Sequence, residues 1–165
     1  MSAETRARLA ALQAELVEAL ARGAAPPIGF DAERLQAAAT ALATKRRCAA
    51  ARAWPALADA IERHFDEYAT ASPLPRLGGP LADGRAFLRW LAARGEHAAE
   101  ARLQALAVDL RFKTTADGLV PRRGPAMKAA MLHAPRRVVV ALRLPWLGEW
   151  WLRIPVAGRL TRQRG

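Results

Sequence analysis

Residues 136–155 read RRVVVALRLPWLGEWWLRIP, a stretch that holds four arginines and three tryptophans. Apolar and basic residues alternate on either side of PWLGE (145–149), the pattern of two antiparallel strands joined by a loop. On the first strand Val138, Val140, Leu142 and Leu144 share one face, and Arg137, Val139, Ala141 and Arg143 share the other. On the second, Trp150, Leu152 and Ile154 oppose Trp151 and Arg153. Matching like faces requires a loop of odd length. Pairing Leu144 with Trp150 meets that condition, and it sets Leu142 against Leu152 and Arg143 against Trp151. On this register the wholly apolar face is expected to pack on the rest of the protein. Arg137, Arg143, Trp151 and Arg153 are then left outward, with Trp146 at the loop tip.

Just upstream, FKTT (112–115) and DGLVPRR (117–123) are also strand-like, with Asp117-Gly118 as a turn signal. Before residue 110 the period changes from two to 3.6. Leu9, Leu12, Leu16 and Leu20 line one face of a first helix, about Ser2 to Arg22, which Gly23 and the paired prolines of GAAPPIG end. Asp31 is placed to cap a second helix reaching about Ala53, with Phe30 and Leu35 as a hydrophobic staple. Pro55 restarts a third helix, whose stripe is Leu57, Ile61, Phe65 and Tyr68. A fourth carries Leu81, Phe87, Leu88 and Leu91 and stops at Gly95, and a fifth carries Leu103, Leu106 and Leu110. The expected fold is mainly α with a small C-terminal antiparallel β segment, an α+β chain. Residues 1–110 form a five-helix orthogonal bundle, and residues 111–165 form a basic, Trp-rich β segment with a short tail.

Charge divides the chain at the same place. Residues 1–110 hold 14 Lys/Arg against 13 Asp/Glu, whereas residues 111–165 hold 12 against 2. Arg outnumbers Lys 23 to 3, which reflects a compositional bias, but that bias does not explain why acids vanish after Asp109. Clustered cationic charge points to an acidic partner docking on the C-terminal third. A single cysteine excludes an internal disulfide framework. The charged N-terminus lacks a signal-peptide core, and no run reaches the roughly 18 apolar residues of a membrane span. A cytoplasmic protein with no membrane partner is expected.

The catalytic inventory is thin. His64, His97 and His133 lie far apart without metal-type i, i+4 partners, and no phosphate loop, nucleophile elbow or dinucleotide fingerprint occurs. Cys48 has cationic neighbours in KRRC but is expected to be a small buried residue among alanines. No enzyme, metal or cofactor is expected. Lys45, Arg46, Arg47 and Arg52 form the one dense basic patch of the helical part, an alternative grip for nucleic-acid phosphates. A helix-turn-helix reading of the second and third helices fails on charge, because Asp59, Glu62, Asp66 and Glu67 sit on the helix that would enter the groove.

The stretches KRRCAAARAWPALADAIERHFDEYATASPLP (45–75), LADGRAFLRWLAARG (81–95) and AEARLQALAVDL (99–110) resemble a helical bacterial family whose N-terminal region carries the name DNA-binding domain. The matching features are Arg47 ahead of Trp54-Pro55, Phe65 and Tyr68 at i, i+3, the Pro73 break, and Gly84 before Phe87-Leu88. The resemblance spans residues 5–110, and the compact β segment departs from longer members, which end in a bigger domain. Members also resemble partner proteins of multinuclear non-haem iron oxidases that modify cysteines in ribosomally made peptides. The resemblance therefore implies an accessory protein that binds a precursor or leader peptide and recruits it to such an oxidase. Such leaders are often acidic, and Arg137, Arg143, Trp146, Trp151 and Arg153 are the candidate contacts, combining charge with stacking area. An edge strand offers a second mode, backbone pairing with an incoming peptide. DNA binding through the basic patch and tail, and a purely structural subunit with its Trp face buried in a complex, are the alternatives.

Overall fold

A computed structural model describes residues 2–22, 25–96, 99–133 and 136–156. Five helices precede five strands: α1 (Ala3–Arg22), α2 (Ala32–Ala53), α3 (Ala58–Ala71), α4 (Gly79–Ala93), α5 (Ala99–Arg111), β1 (Phe112–Thr115), β2 (Gly118–Pro121), β3 (Ala126–His133), β4 (Arg136–Leu144) and β5 (Gly148–Pro155). The α+β class read from the sequence is the class observed. β1 and β2 form one antiparallel pair, and β3-β4-β5 form a separate antiparallel sheet in that order.

Local signals behave as their chemistry requires. Asp31 caps α2, its Oδ1 accepting from the backbone N–H of Glu33 (2.9 Å) and Arg34 (3.2 Å), a contact worth about 1 kcal/mol. Pro55 opens a short 3-10 turn, Pro55–Leu57, that leads into α3. Its neighbour Trp54 is fully buried, and the indole N–H donates to the Leu81 carbonyl at 3.0 Å. Gly84 lies flat against that ring, where any Cβ would collide with the indole. Around Trp54 gather Leu57, Ile61, Phe65, Tyr68, Phe87 and Leu91, the core of the helical body. Phe65 and Phe87 meet edge-on and Tyr68 is tilted against both, with every pair of centroids 5.3 Å apart. α1 lies on α2 and leaves Leu9, Leu12 and Val17 exposed.

α5 joins the two halves. Its Ala101, Ala105 and Val108 belong to the helical core, while Leu106 and Leu110 pack on the three-stranded sheet. A second tie runs from the loop after α3, where the Leu77 N–H donates to Asp117 O (2.9 Å) and the Leu119 N–H to Leu77 O (3.0 Å). The β1–β2 turn is Ala116-Asp117, with Gly118 opening β2 at φ 131° because a side chain there would strike the Leu77 carbonyl.

Four expectations are corrected. The C-terminal hairpin is two strands of a three-stranded sheet, since β3 pairs with β4 from Ala126↔Arg143 to His133↔Arg136. Its register differs too: Leu144 faces Gly148, Leu142 faces Trp150 and Ala141 faces Trp151. The loop is Pro145-Trp146-Leu147, closed by the Leu147 N–H on Leu144 O at 3.2 Å, so its odd length and the two faces survive while every partner moves by two. The packing face is the reverse of the one expected. Val139 and Ala141 are fully buried with Leu106, Leu110, Ala126 and Leu132, so Arg137, Arg143, Trp151 and Arg153 share the face turned toward α5. The reason is size. Ala126 and Ala130 of β3 and Val139 and Ala141 of β4 make a shallow face on which a helix can sit, with arginines at its ends. Cys48 is exposed, because the buried side of α2 runs through Arg46, Ala50 and Trp54, the i, i+4, i+8 face opposite it.

Candidate functional site

The basic patch of the helical part is largely consumed by structure. Arg46 is only 13% exposed and forms a fork-to-fork pair with the buried Asp83, Nε to Oδ2 at 2.7 Å and Nη2 to Oδ1 at 2.8 Å. Its Nη1 also donates to the carbonyls of Ala69 (3.3 Å) and Ser72 (3.1 Å), tying down the end of α3. The Tyr68 hydroxyl donates to Asp83 Oδ1 at 2.9 Å. Burial weighs against the Arg46 charge, yet the hydrogen bonds and charge of Asp83 outweigh it and hold the guanidinium above its ordinary pKa. Burial pushes the Tyr68 phenol up, and the adjacent Asp83 carboxylate pushes it further. Arg47 is paired with Asp66 at 2.9 Å, and Arg52 Nε donates to Cys48 O at 3.3 Å. Lys45 alone of the four stands exposed without a recorded partner among the described residues. The sequence signal for Asp83 was present but unread: an acid on the apolar side of α4, between Ala82 and Gly84.

Chemistry-bearing groups do not converge elsewhere. Among the described residues no cluster of His, Cys, Asp or Glu has the makings of a metal site. His64 faces Glu96, Nε2 to Oε2 at 3.3 Å. His97 lies outside the described residues, as does the side chain of His133. A groove of about 550 Å³ runs between the α3–α4 loop, α4 and the β1–β2 turn, and is lined by residues that include Arg76, Arg85, Arg89 and Trp90. Arg85 is held by Asp109 at 2.7 Å and Arg76 faces Asp117 at 3.8 Å, so most of that positive charge is already matched.

The sheet is the surface with unspent chemistry. Arg137, Arg143, Trp151 and Arg153 lie on one face, as the even spacing within each strand dictates, but they are not equivalent. Arg143 is partly committed, with Nη1 on the Arg122 carbonyl at 2.9 Å and Nε 3.9 Å from Glu149. Glu149 belongs mainly to Arg111, whose two nitrogens reach its oxygens at 2.7 and 3.0 Å. That hydrogen bonding holds the Glu149 carboxyl below its ordinary value. Arg137 is half-buried, its Nε without a hydrogen-bond partner among the described residues. Arg153 on β5 is exposed and free of ion pairs there. Trp146 is fully exposed at φ 77°, a left-handed conformation that is an outlier for a bulky side chain. The part of the basic tail beyond Val156 lies outside the described residues.

The opposite face of the sheet was not foreseen as a surface. Met127 (70% exposed), Met131 (52%), Trp150 (48%), Leu152 (61%) and Ile154 (45%) stand on it, flanking the partly buried Val138, Val140 and Leu142. A solvated sheet face is ordinarily the polar one; here the apolar face is turned to water. β5 is at the same time an edge, its outer N–H and C=O groups unpaired by any described strand. The signal that finds this surface is Met127 and Met131 set four apart, legible only once AMKAAMLH is known to be a strand.

Comparison with known proteins adds the family and nothing finer. No curated protein and no solved structure matches the chain. One family model, the SCO6045-like, C-terminal domain, matches residues 10–93, which carry most of α1 and all of α2, α3 and α4. Those residues are half of the chain, and on that match it belongs to the SCO6045-like, C-terminal domain family.

Proposed function

We propose that this chain is a non-enzymatic accessory protein that binds an acidic peptide on its C-terminal sheet. It recruits that peptide, a precursor or leader, to a partner iron-dependent peptide-modifying oxidase, the class of partner implied by the resemblance of residues 5–110. The observation that carries the reading is β5. It is an open edge strand with Trp151 and the unpaired Arg153 on one face and Trp150, Leu152 and Ile154 on the other. An incoming strand would gain affinity from backbone hydrogen bonds, and its alternate side chains would lie beside arginine or beside apolar surface. The cationic surround of the sheet supports an acidic ligand over a basic one. DNA binding is the weaker alternative, because Arg46 and Arg47 already satisfy Asp83 and Asp66.

The test is titration of a labelled strand-forming peptide, alternating Glu with Val or Leu, followed by fluorescence anisotropy. Arg153→Glu is expected to weaken binding roughly tenfold with the helical circular dichroism unchanged, the loss of one close charge pair. Arg153 is a better probe than Arg143, whose replacement also disturbs the Arg122 carbonyl and Glu149. Equal binding by the wild type and Arg153→Glu overturns the surface assignment. Preference for duplex DNA over the acidic peptide overturns the ligand class.

A further inference from the structure

Helix α1 is covered at its C-terminal end and open at its N-terminal end. Along it Thr5, Leu9, Leu12, Leu16 and Ala19 follow one another at steps of four, three, four and three, the stripe of a helix that packs lengthwise on another helix. Ala19 is buried and Leu16 half-buried, whereas Leu9 and Leu12 are exposed. α2, on which α1 lies, is open over the same half of the molecule, with Leu42 exposed and no buried residue before Ala50. Helices in proteins draw most of their stability from a covered apolar face, so the open half of this stripe calls for a cover.

Charge identifies that cover. Residues 1–44 hold 4 Lys/Arg against 5 Asp/Glu, whereas residues 45–165 hold 22 against 10. A second copy of the chain therefore meets no net repulsion at α1, as it would against the C-terminal third. The flanks of the stripe are more specific. Arg8 and Glu15 lie seven residues apart on one flank, both exposed and without an ion pair among the described residues. Let two copies of α1 run antiparallel about a two-fold axis, with Leu9 of each against Leu12 of the other. Arg8 of each copy then comes beside Glu15 of the other, and symmetry makes two ion pairs. Thr5 meets Leu16 in the same alignment, and Arg6 meets Gln13 on the other flank, so no like charges are opposed. In a parallel pair Arg8 would face Gln13 and Glu15 would face Leu20, leaving both charges unmatched. A partner helix or a lipid surface of one charge sign could match only one of the two.

We infer that α1 pairs antiparallel with α1 of a second copy through Leu9, Leu12 and Leu16, with Arg8 and Glu15 bridging the two chains. α1 packs on α2 and α3 and the sheet packs on α5, so the pairing uses no residue of the sheet. The assembly carries two β5 edges, and it forms whatever those edges bind.

Sedimentation velocity of the full chain over a rising concentration series should show a monomer–dimer equilibrium. Arg8→Glu opposes like charges at both bridges and is expected to weaken the dimer about tenfold, and Glu15→Arg should do the same. The two substitutions combined exchange the charges and restore both pairs, so the double variant should dimerise as the wild type does. A substitution that merely loosened α1 would show no such recovery. Leu12→Gln should leave a monomer where the wild type is dimeric, with the melting curve at low concentration unchanged because Leu12 is exposed. A wild type that stays monomeric throughout the series overturns the inference. So does a dimer indifferent to the charge reversals, or one that both single variants weaken and the double variant fails to recover.

Discussion

Raising the pH above 10 interrogates the Arg46–Asp83–Tyr68 cluster directly, because Tyr68 is the only tyrosine in the chain. Its hydroxyl is buried and donates to Asp83 Oδ1 at 2.9 Å. Ionisation would remove that donor and set a second negative charge beside the carboxylate, so the folded-state pKa lies above the ordinary value of 10. For a group raised on folding, the stabilising contribution is full below the unfolded pKa and is lost as pH climbs toward the folded one. The slope is about 1.4 kcal/mol per pH unit, so about 1.4 kcal/mol is gone near pH 11. In a chain of this size that lowers Tm by roughly 3–6 °C. Tyr68→Phe isolates the contribution from other alkaline titrations. The variant starts lower at pH 9, by about 1 kcal/mol for the missing hydrogen bond, and loses less between pH 9 and 11. The gap between the two melting temperatures should therefore close over that interval. Ultraviolet titration reads the same group without unfolding: tyrosinate absorbance should stay absent at pH 10 and appear only as helical circular dichroism collapses. A tyrosinate midpoint near 10 in the folded protein would refute the reasoning, since it would place the phenol in water.

Four shorter tests bear on the rest of the molecule. Gly84→Ala drives a methyl into the Trp54 indole, which its bond to Leu81 O prevents from retreating, and is expected to cost about 2–3 kcal/mol in urea unfolding. A cost below about 0.5 kcal/mol would mean that the ring is mobile. Asp83→Ala strands the Arg46 charge in a largely buried position and should cost about 3–5 kcal/mol; a neutral result would show that Arg46 swings into solvent. Trp146→Asn removes a bulky side chain from φ 77°, where asparagine is tolerated, so Tm should hold or rise while acidic-peptide binding weakens; a lower Tm would reveal packing by Trp146. Glu149 has its carboxyl lowered on folding, so its contribution is present above the ordinary value of 4.5 and fades as pH falls through the folded value. Arg111→Met should remove that acid sensitivity, a change under about 1 kcal/mol because Arg111 is mostly exposed, and an unchanged acid melting profile would show that the pair is not formed in solution.

The helical half was legible because its signals are local. Asp31, Pro55 and the Leu57–Ile61–Phe65–Tyr68 stripe act within one or two turns, and the structure uses each as its chemistry suggests. The sheet was legible only in parity. β3 escaped notice because AMKAAMLH is built from residues that favour helices, and pairing with β4 overrides that preference. The packing face escaped for a related reason. Val138, Val140 and Leu142 are the more apolar row, and apolarity suggests burial, but Val139 and Ala141 are the row small enough to admit Leu106 and Leu110 of α5. The basic patch misled because an arginine count carries no information about partners: Asp83 and Asp66 reach Arg46 and Arg47 across 37 and 19 residues of sequence.

That inversion bears on what the sheet is for. Five large side chains stand about half exposed on the free face, and full burial of such a side chain is worth about 1.5–3 kcal/mol, so covering the face would recover on the order of 4–7 kcal/mol. Association itself costs an estimated 4–15 kcal/mol. The apolar face alone therefore sits at or below break-even, and any greasy surface would bind it only weakly. The exposed cations Lys128 and Arg153 lie on the other side of the sheet, in register with Ala141 and Val139, so they add nothing to this face, and what a selective ligand has to engage is the open backbone edge of β5.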